Sequence, residues 1–183
     1  PNSYLLSRIT AYKTRSYKIK DIDPTFFLLE EKKKDAEQMH SFLWLSLIDR
    51  KTDHTKIKKI IYIWMLKNSK YRKKTWETST LSTRIVSWIL NVDIILNNST
   101  FDCRKNFLNC IISQTNHLKK NIRFENDPKK KIEILIAIIL TGLVFKEYED
   151  NFDIGIKELE TIIKDFFDSD GFPLSRNPND LVF

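Results

Sequence analysis

Glycine and proline are scarce in this sequence, with three and five of 183 residues. So few turn-forming residues exclude collagen, a low-complexity linker protein and a β-barrel punctuated by glycine turns. Alanine and valine are also rare, at three and four residues, whereas isoleucine occurs 24 times. Few helix breakers together with long aliphatic runs predict an all-α protein, and 183 residues fit a single domain.

Cysteine is equally rare, since Cys103 and Cys110 are the only two. Seven residues along one helix span roughly 10 Å at about 1.5 Å per residue, beyond the ~7 Å Cα limit for a disulfide. No histidine or second cysteine stands three or four residues from either, and no nucleotide, metal or catalytic motif occurs. We therefore expect no intrachain disulfide, no metal ion and no cofactor.

Charge is unbalanced toward lysine, with 31 Lys+Arg against 24 Asp+Glu and a net charge of +7. Part of this excess follows the Ile, Lys and Asn usage of an AT-rich genome rather than an anionic partner. A charged fraction of 30% excludes a polytopic membrane protein.

The two termini carry little information about the compartment, because no secretory signal is visible after Pro1. The chain starts without methionine and stops abruptly on apolar residues at Phe183. We expect a single helical domain over 1–183 that is a piece of a longer protein, with its localisation open.

Apolar residues recur at helical spacing through most of the chain. The clearest case is 55–66, where i, i+3, i+4, i+7 and i+8 are all apolar. Asp127 and Pro128 are expected as N-cap and first residue of a later helix, and Asp170-Gly171 as a left-handed stop. Seven helices are predicted, at 3–20, 26–48, 55–66, 81–96, 101–122, 132–145 and 152–167.

The segment 132–145 reads IEILIAIILTGLVF and is apolar nearly all round. At about 1.5 Å per residue it covers roughly 21 Å, short of the ~30 Å hydrocarbon core of a bilayer. A helix of this kind is predicted to be central and buried. Helices sheathed by other helices favour a helical solenoid or an incomplete α/α toroid, built from helix hairpins in inner and outer layers.

Three features suggest a functional surface. Trp76 lies in a polar loop over 68–80 beside Lys73 and Lys74, and is expected to be an exposed stacking platform next to cations. Arg84 and Trp88 stand one turn apart on a helix face, where Trp88 is expected in the core. Arg84 must then reach solvent or pair with a carboxylate.

The third feature is the loop over 168–178, in which two prolines flank Arg176 and Asn177. The three histidines, His40, His54 and His117, are scattered along the chain and are expected to be structural.

Six sequence elements occur in a fixed order between His40 and Asp180. They are HSFLWLSLID, IIYIWM, W-x(7)-R-I-V-x-W-I, NHLKKN, LTGLVF and DGFPLSRNP. This series resembles the N-terminal α/α-toroid part of the heparinase II/III-like polysaccharide lyases, particularly their divergent alphaproteobacterial branch. The last element is the most specific, because such proteins carry a D-G-G-H-x-x-R-[SN]-P loop after a helix.

The resemblance implies β-elimination on a uronate-containing polysaccharide, which needs a carboxylate neutraliser, a base and an acid. The sequence departs from the family pattern at two places. Pro128-Lys129-Lys130 replaces Gly-Asn-His, and Asn179-Asp180-Leu181 replaces Met-Tyr-His. No catalytic residue is therefore assigned. The residues that match family positions are candidates for the substrate cleft or its scaffold: Trp76, Arg84, Trp88, Arg176 and Asn177.

The expected partner is an acidic polysaccharide, rather than a membrane or a nucleic acid, and oligomeric state stays open. The first alternative is a non-catalytic basic helical module that binds nucleic acid or a protein. The second is a family member that has kept the fold and lost catalysis. We expect the 183-residue chain alone to bind weakly and to catalyse nothing measurable.

Overall fold

The computed structural model describes residues 36–48, 50 and 54–175, and this part of the chain is all-α as predicted. No β-strand occurs among the described residues, where Phe167 and Pro173 form an isolated β-bridge. The predicted helix at 3–20 and most of that at 26–48 lie outside the described residues. The helices are α1 (Ala36–Ser41), α2 (Thr55–Asn68), α3 (Thr78–Leu90), α4 (Val92–Leu96), α5 (Phe101–Asn121), α6 (Pro128–Val144) and α7 (Asp150–Phe166).

Three of these helices begin at a side-chain cap. The Glu77 carboxylate accepts a bond from Thr80 N ahead of α3, and Thr100 accepts one from Cys103 N ahead of α5. Asp127 accepts a bond of 3.0 Å from Lys129 N, and Pro128 is the first residue of α6. This confirms the predicted start of that helix, because a capped N-terminus satisfies backbone donors that have no helical partner.

Two predicted helices are interrupted. The chain over 26–48 is not one helix, because Phe42 adopts a left-handed φ of 59° and a short 3-10 helix, Leu43–Leu47, follows. The helix predicted over 81–96 is split at Asn91, whose side-chain amide donates a bond of 2.8 Å to Ser87 O. Such local bonds from asparagine compete with the helical ladder, so α3 ends and α4 starts anew.

An aromatic cluster forms the centre of the core. Trp64, Trp88 and Phe42 contact one another edge to face, with ring centroids 5.3 to 5.6 Å apart. Phe107 of α5 extends the cluster, at 5.4 Å from Trp88. Each of these rings is almost fully buried. The left-handed turn at Phe42 is therefore stabilised by the tertiary contacts of its own ring.

The helix stack has two distinct ends. Ser79 Oγ bonds to Glu133 Oε2 at 2.7 Å, so α3 and α6 begin at the same end. The Trp76 ring, just ahead of α3, packs 5.3 Å from His117 near the end of α5. We call this the loop end, because the loop before α3 and the connection from α5 to α6 both lie there. The α6–α7 turn lies at the other end of α6, and α5 reaches this end too, because Lys119 Nζ donates a bond of 2.7 Å to Asn151 Oδ1 in the first turn of α7.

Helix α6 is central but not buried on every face. It packs between α3 and α7, where Ile134, Ala137 and Ile138 are buried. Ile136 and Leu143 are nevertheless 47% and 63% exposed. The expectation of a fully buried helix is therefore wrong for its outer face.

The contact between α6 and α7 depends on a glycine. A Cβ on Gly142 would lie closer than 3.0 Å to the backbone nitrogen of Phe152. Helix α7 ends at Phe166, and the predicted left-handed Gly171, with φ of 81°, lies in the turn that follows the helix. The glycine therefore closes a turn between Phe167 and Pro173 instead of stopping the helix.

Candidate functional site

Trp76 is not the exposed platform that its polar loop suggested. The residue is only 5% exposed, and its indole N–H donates a bond of 3.1 Å to Asn68 O at the end of α2. Its ring packs against His117 of α5. Burial of a tryptophan stabilises a fold strongly, so Trp76 anchors the loop that precedes α3.

Arg84 is fully buried and bonds to three neutral acceptors. Nε donates to Gln114 Oε1 at 2.7 Å, and the two terminal nitrogens donate to His40 O and Thr75 O at 2.9 Å each. The guanidinium also lies over the Trp64 ring, 4.3 Å from its centroid. The expected carboxylate partner is not found among residues 36–48, 50 and 54–175, where no ion pair of Arg84 occurs.

Arg84 keeps its positive charge although its side chain is buried. Burial lowers the pKa of Arg84 to about 9, with a small opposing effect from Cys110. The side chain is therefore still a cation at neutral pH. It connects α1, the loop before α3, and α5, so its role is to hold the scaffold together.

Trp88 and the two loop residues complete the set of candidates from the sequence. Trp88 is fully buried in the aromatic cluster, as expected for a core residue. Its indole nitrogen has no hydrogen-bond partner in the described part of the chain. Arg176 and Asn177 lie outside the described residues. The structure thus brings Trp76, Arg84 and Trp88 into the scaffold and presents none of them to solvent.

Tyr71 provides the exposed aromatic surface that Trp76 does not. It is 61% exposed, and its ring lies 5.4 Å from the His117 ring in a tilted arrangement. His117 is held between Tyr71 and the buried Trp76. Burial, followed by the nearby Lys120 charge, lowers the pKa of His117, so its imidazole is mainly neutral at pH 7.

Three segments near this aromatic pair along the chain or in space are rich in cations, and Lys120 is close enough to His117 to lower the pKa of its imidazole. The loop from Asn68 to Trp76 contains four cations and no acidic residue. The end of α5 with its 3-10 extension adds two, and the first turn of α6 adds three. We call this set the basic end: Lys70, Arg72, Lys73, Lys74, Lys120, Arg123, Lys129, Lys130 and Lys131.

The lysines that start α6 oppose the helix dipole. The N-terminus of a helix carries partial positive charge, so cations there are unfavourable by about 0.3 to 1 kcal/mol each. Lys129, Lys130 and Lys131 all lie in that region, and the first turn holds no acidic residue. A bound anion would relieve this repulsion, because it would meet both the lysines and the helix N-terminus.

A cavity of about 360 Å³ opens beside the basic end, between α5, α6 and α7. Its floor is apolar, with Leu135, Ile138 and Ile162 among the lining residues. Glu158 and Asp165 of α7 also line it. Lys119, Arg123 and Lys131 line it as well, so the lining carries three cations beside these two carboxylates.

The sequence signal for this surface is a short cationic run that also contains an aromatic residue. The run from Lys70 to Lys74 has four cations in five residues, and Tyr71 stands within it. Helical periodicity could not show which aromatic of this loop turns inward. The contact of this run with α5, through the rings of Tyr71 and His117, is a tertiary feature, which no local pattern contains.

The side chains of the basic end are suited to binding an extended anion. Lysines supply point charges, Arg72 supplies a planar fork for carboxylate or sulfate, and Tyr71 supplies a flat apolar face. In the described ranges, no group of three or more His, Cys, Asp or Glu side chains could hold a metal ion. Cys103 and Cys110 are both free thiols.

Two further findings complete the description. No helix within residues 36–48 or 54–175 has both the length and the apolar character needed to cross a membrane. Comparison of the chain with protein-family models, curated proteins and solved structures gave no match.

Proposed function

We propose that this chain is the helical part of a heparinase II/III-like polysaccharide lyase and that it binds acidic polysaccharide through the basic end. The observation that carries the proposal is the exposed Tyr71, which lies within a loop of four cations and packs against His117, itself near Lys120. The six sequence elements that resemble the family support the lyase assignment.

An acidic polysaccharide fits this surface for two reasons. Its negative charges repeat along an extended chain, and the cations of the basic end are likewise distributed over a loop and two helix ends rather than gathered in a pocket. Its sugar rings have apolar faces, which stack on aromatic side chains such as Tyr71. Arginine and lysine together recognise carboxylate and sulfate groups.

The incomplete α/α toroid belongs to the same proposal. Helices α6 and α7 pack along one another through a short connection, with Gly142 against Phe152 and Gly155 against Ile139, and such a hairpin is the unit that a toroid repeats. Helix α6 packs between α3 and α7, which supports its assignment to the inner layer of the proposed toroid. Its exposed outer residues, Ile136 and Leu143, are available for packing by a neighbouring hairpin.

Catalysis is assigned to the longer protein and not to this chain. Arg84, the buried cation, is engaged by three acceptors and has no exposed surface for a uronate carboxylate. The basic end can bind and orient substrate. We expect no unsaturated uronate product, measured by its absorbance, when the 183-residue chain acts alone on heparan, alginate or hyaluronan.

The binding test compares a basic-end variant with a matched control. K73E/K130E reverses two exposed cations in the loop and in α6, and a glutamate in the first turn of α6 suits the helix dipole. K59E/K157E makes the same charge change midway along α2 and α7. Affinity for fluorescent heparin and alginate oligosaccharides is measured by anisotropy at 50 and 300 mM salt.

The basic-end variant should bind at least about tenfold more weakly at 50 mM salt, because it replaces two attractions by two repulsions. The control should change affinity less than about threefold. The Y71A variant should lose affinity for oligosaccharides at both salt concentrations, since stacking is not screened. Equal affinities of wild type, K73E/K130E and Y71A would contradict the proposal.

A nucleic-acid module remains the second candidate, because the same cations attract phosphates. The anisotropy experiment includes single-stranded and double-stranded DNA and RNA of matched charge. Preference for uronate oligosaccharides over all four supports the polysaccharide proposal. Tighter binding to any of them, with a steep salt dependence, would favour the nucleic-acid module.

A further inference from the structure

The cavity between α5, α6 and α7 follows from the way in which α7 packs. Helix α7 rests directly on α6, because Gly155 has no side chain and a Cβ there would lie closer than 3.0 Å to the Ile139 side chain. Helix α5 meets α7 at one polar contact, where Lys119 Nζ donates a bond of 2.7 Å to Asn151 Oδ1. A cavity of about 360 Å³ is left between the three helices.

This cavity is elongated and has the size of a small-molecule site. Its lining residues in α7 extend from Ile154 to Phe166, a rise of roughly 18 Å at about 1.5 Å per residue. Ligand pockets in proteins have volumes of about 300 to 1,000 Å³, so this one lies at the lower end of that range. At about 30 Å³ for a group the size of a water molecule, it holds roughly 12 non-hydrogen atoms. A slim ligand fits it better than a bulky one.

The floor of the cavity is hydrocarbon. Apolar side chains come from α6, from α7 and from the 3-10 turn that follows α5. Apolar surface of this kind favours a ligand with an apolar body, because binding removes both from water. The apolar lining residues are Ile122, Leu135, Ile138, Ile154, Ile162 and Phe166.

The charged groups of the lining are divided between its walls. Lys119, Arg123 and Lys131 come from α5, its 3-10 extension and α6. Glu158 and Asp165 come from α7. In the described part of the chain, none of these five side chains forms an ion pair with another. Three cations against two carboxylates leave the lining with one positive charge in excess, which a ligand with one negative charge would balance.

We propose that this cavity binds a medium-chain fatty acid, a molecule with one carboxylate at the end of an unbranched hydrocarbon chain. The chain covers the apolar floor, and the carboxylate lies beside Arg123 and Lys131, where arginine can donate two parallel bonds. Lys119 already donates to Asn151 and is not needed for the head group. The two carboxylates of α7 oppose a second negative charge, so the site selects a monoanion over a polyanion.

The inference does not rest on the proposed function. The cavity shares Arg123 and Lys131 with the basic end, but its apolar lining includes neither Tyr71 nor His117. A polysaccharide has no hydrocarbon chain for the floor, and a fatty acid has no repeating charge for the cationic loop. The two ligands therefore differ in the residues that they require.

Isothermal titration calorimetry with decanoate at pH 8 tests the ligand class. Decanoate has roughly the number of non-hydrogen atoms that the cavity holds, and it should bind wild type with a Kd of about 10 to 100 µM. Acetate, which has no chain, should not bind. Decyltrimethylammonium has the same chain with a positive head group and should bind at least about tenfold more weakly. Equal or tighter binding of this cation would contradict the proposal.

Two matched substitutions in α7 test the location. I154W places a larger side chain at a position that lines the cavity, and I163W makes the same change outside the lining. The two isoleucines are 44% and 48% exposed, so neither change disturbs the core. I154W should bind decanoate at least about tenfold more weakly and I163W within about threefold of wild type.

Thermal unfolding separates a site from a detergent effect. Decanoate should raise the Tm of wild type and of I163W, as a ligand of the folded state does, and should leave the Tm of I154W unchanged. T161W, at another exposed lining position, should behave like I154W. A Tm of wild type that falls with decanoate, or unchanged affinity in both I154W and T161W, would overturn the proposal.

A second matched pair tests the head group. R123Q/K131Q removes two cations of the lining, and K120Q/K130Q removes their neighbours outside it. The first variant should bind decanoate at least about tenfold more weakly, and the second should stay within about threefold of wild type. Equal losses in the two variants would show only general attraction of anions by a positive chain and would contradict the proposed site.

The cavity and the proposed function fail in different assays. I154W should retain wild-type affinity for heparin and alginate oligosaccharides, and Y71A should retain affinity for decanoate. Decanoate binding without any oligosaccharide binding would leave the cavity assignment in place and remove the proposed function. Oligosaccharide binding without decanoate binding would remove the cavity assignment alone.

Discussion

Replacing Arg84 by alanine should destabilise the fold by about 3 to 5 kcal/mol. The substitution removes the donor of three acceptors, the buried Gln114 Oε1 and Thr75 O and the partly buried His40 O. Each unsatisfied acceptor costs about 1 to 3 kcal/mol, so this loss is roughly 6 kcal/mol at the midpoint. Lost stacking on Trp64 and lost burial of the aliphatic stem add about 2 kcal/mol each.

One opposing effect reduces this loss. The variant no longer has to remove a guanidinium from water, a cost visible in the pKa of Arg84, which burial lowers to about 9. At ~1.4 kcal/mol per pKa unit, that relief is roughly 5 kcal/mol. The lost hydrogen bonds and the lost packing together exceed this desolvation relief, which leaves the expected net loss of stability. Removal of one member of a buried polar network has a cost of this size.

The assay is urea unfolding followed by tryptophan fluorescence, together with thermal unfolding. A loss of this size should lower Tm by roughly 10 °C, at about 2 to 4 °C per kcal/mol for a chain of this length. R84K keeps the charge but cannot reach three diverging acceptors with one ammonium, so it should lose at least about 2 kcal/mol. R104A, at an exposed α5 position, is the control and should change stability by less than about 0.5 kcal/mol. An R84A or R84M variant as stable as wild type would refute the reasoning.

Three further predictions concern the scaffold and the basic end. G142A should lower stability by about 2 to 4 kcal/mol in urea, because its Cβ would meet the Phe152 backbone and outweigh the ~1 kcal/mol helix gain of alanine. D127A should cost about 1 kcal/mol in the same assay through loss of the α6 cap. The pKa of His117, measured by NMR, should lie below the ordinary 6.5. Because the unfolded chain then binds the proton more tightly than the folded chain, the free energy of unfolding should be retained above pH 6.5 and fall as the pH drops below it. The pH dependence of unfolding in that range should be weaker in H117Q, and an unshifted His117 pKa would contradict the packing described for Tyr71.

The helices could be predicted where local signals agreed. Helix α2 followed from five apolar residues on one face, and the start of α6 followed from Asp127 and Pro128. The left-handed Phe42 could not be predicted, because the ring contacts that stabilise it come from Trp64 and Trp88, more than twenty residues away. Local periodicity carries no information about such contacts.

The candidate site was predictable in composition but not in geometry. The Lys73-Lys74 pair correctly marked a cationic loop with an aromatic residue, yet Tyr71 and not Trp76 is the exposed one. The choice is made by Asn68 O at the end of α2 and by His117 of α5, and the second of these is remote in sequence from the loop. The partners of Arg84 were missed because two of the three are backbone carbonyls, which any residue type provides.

The start of α6 carries three lysines at a position where positive charge lowers the stability of the helix. Lys129, Lys130 and Lys131 oppose the helix dipole at about 0.3 to 1 kcal/mol each, a loss of roughly 1 to 3 kcal/mol against a total stability of about 5 to 15. Every other local signal at this helix start, the Asp127 cap and Pro128, favours the helix. Conflicts between a local rule and the fold concentrate at functional positions. The conflict here lies near the start of α3, which Ser79 joins to Glu133 of α6, and under the proposed function an anion bound there would offset the repulsion.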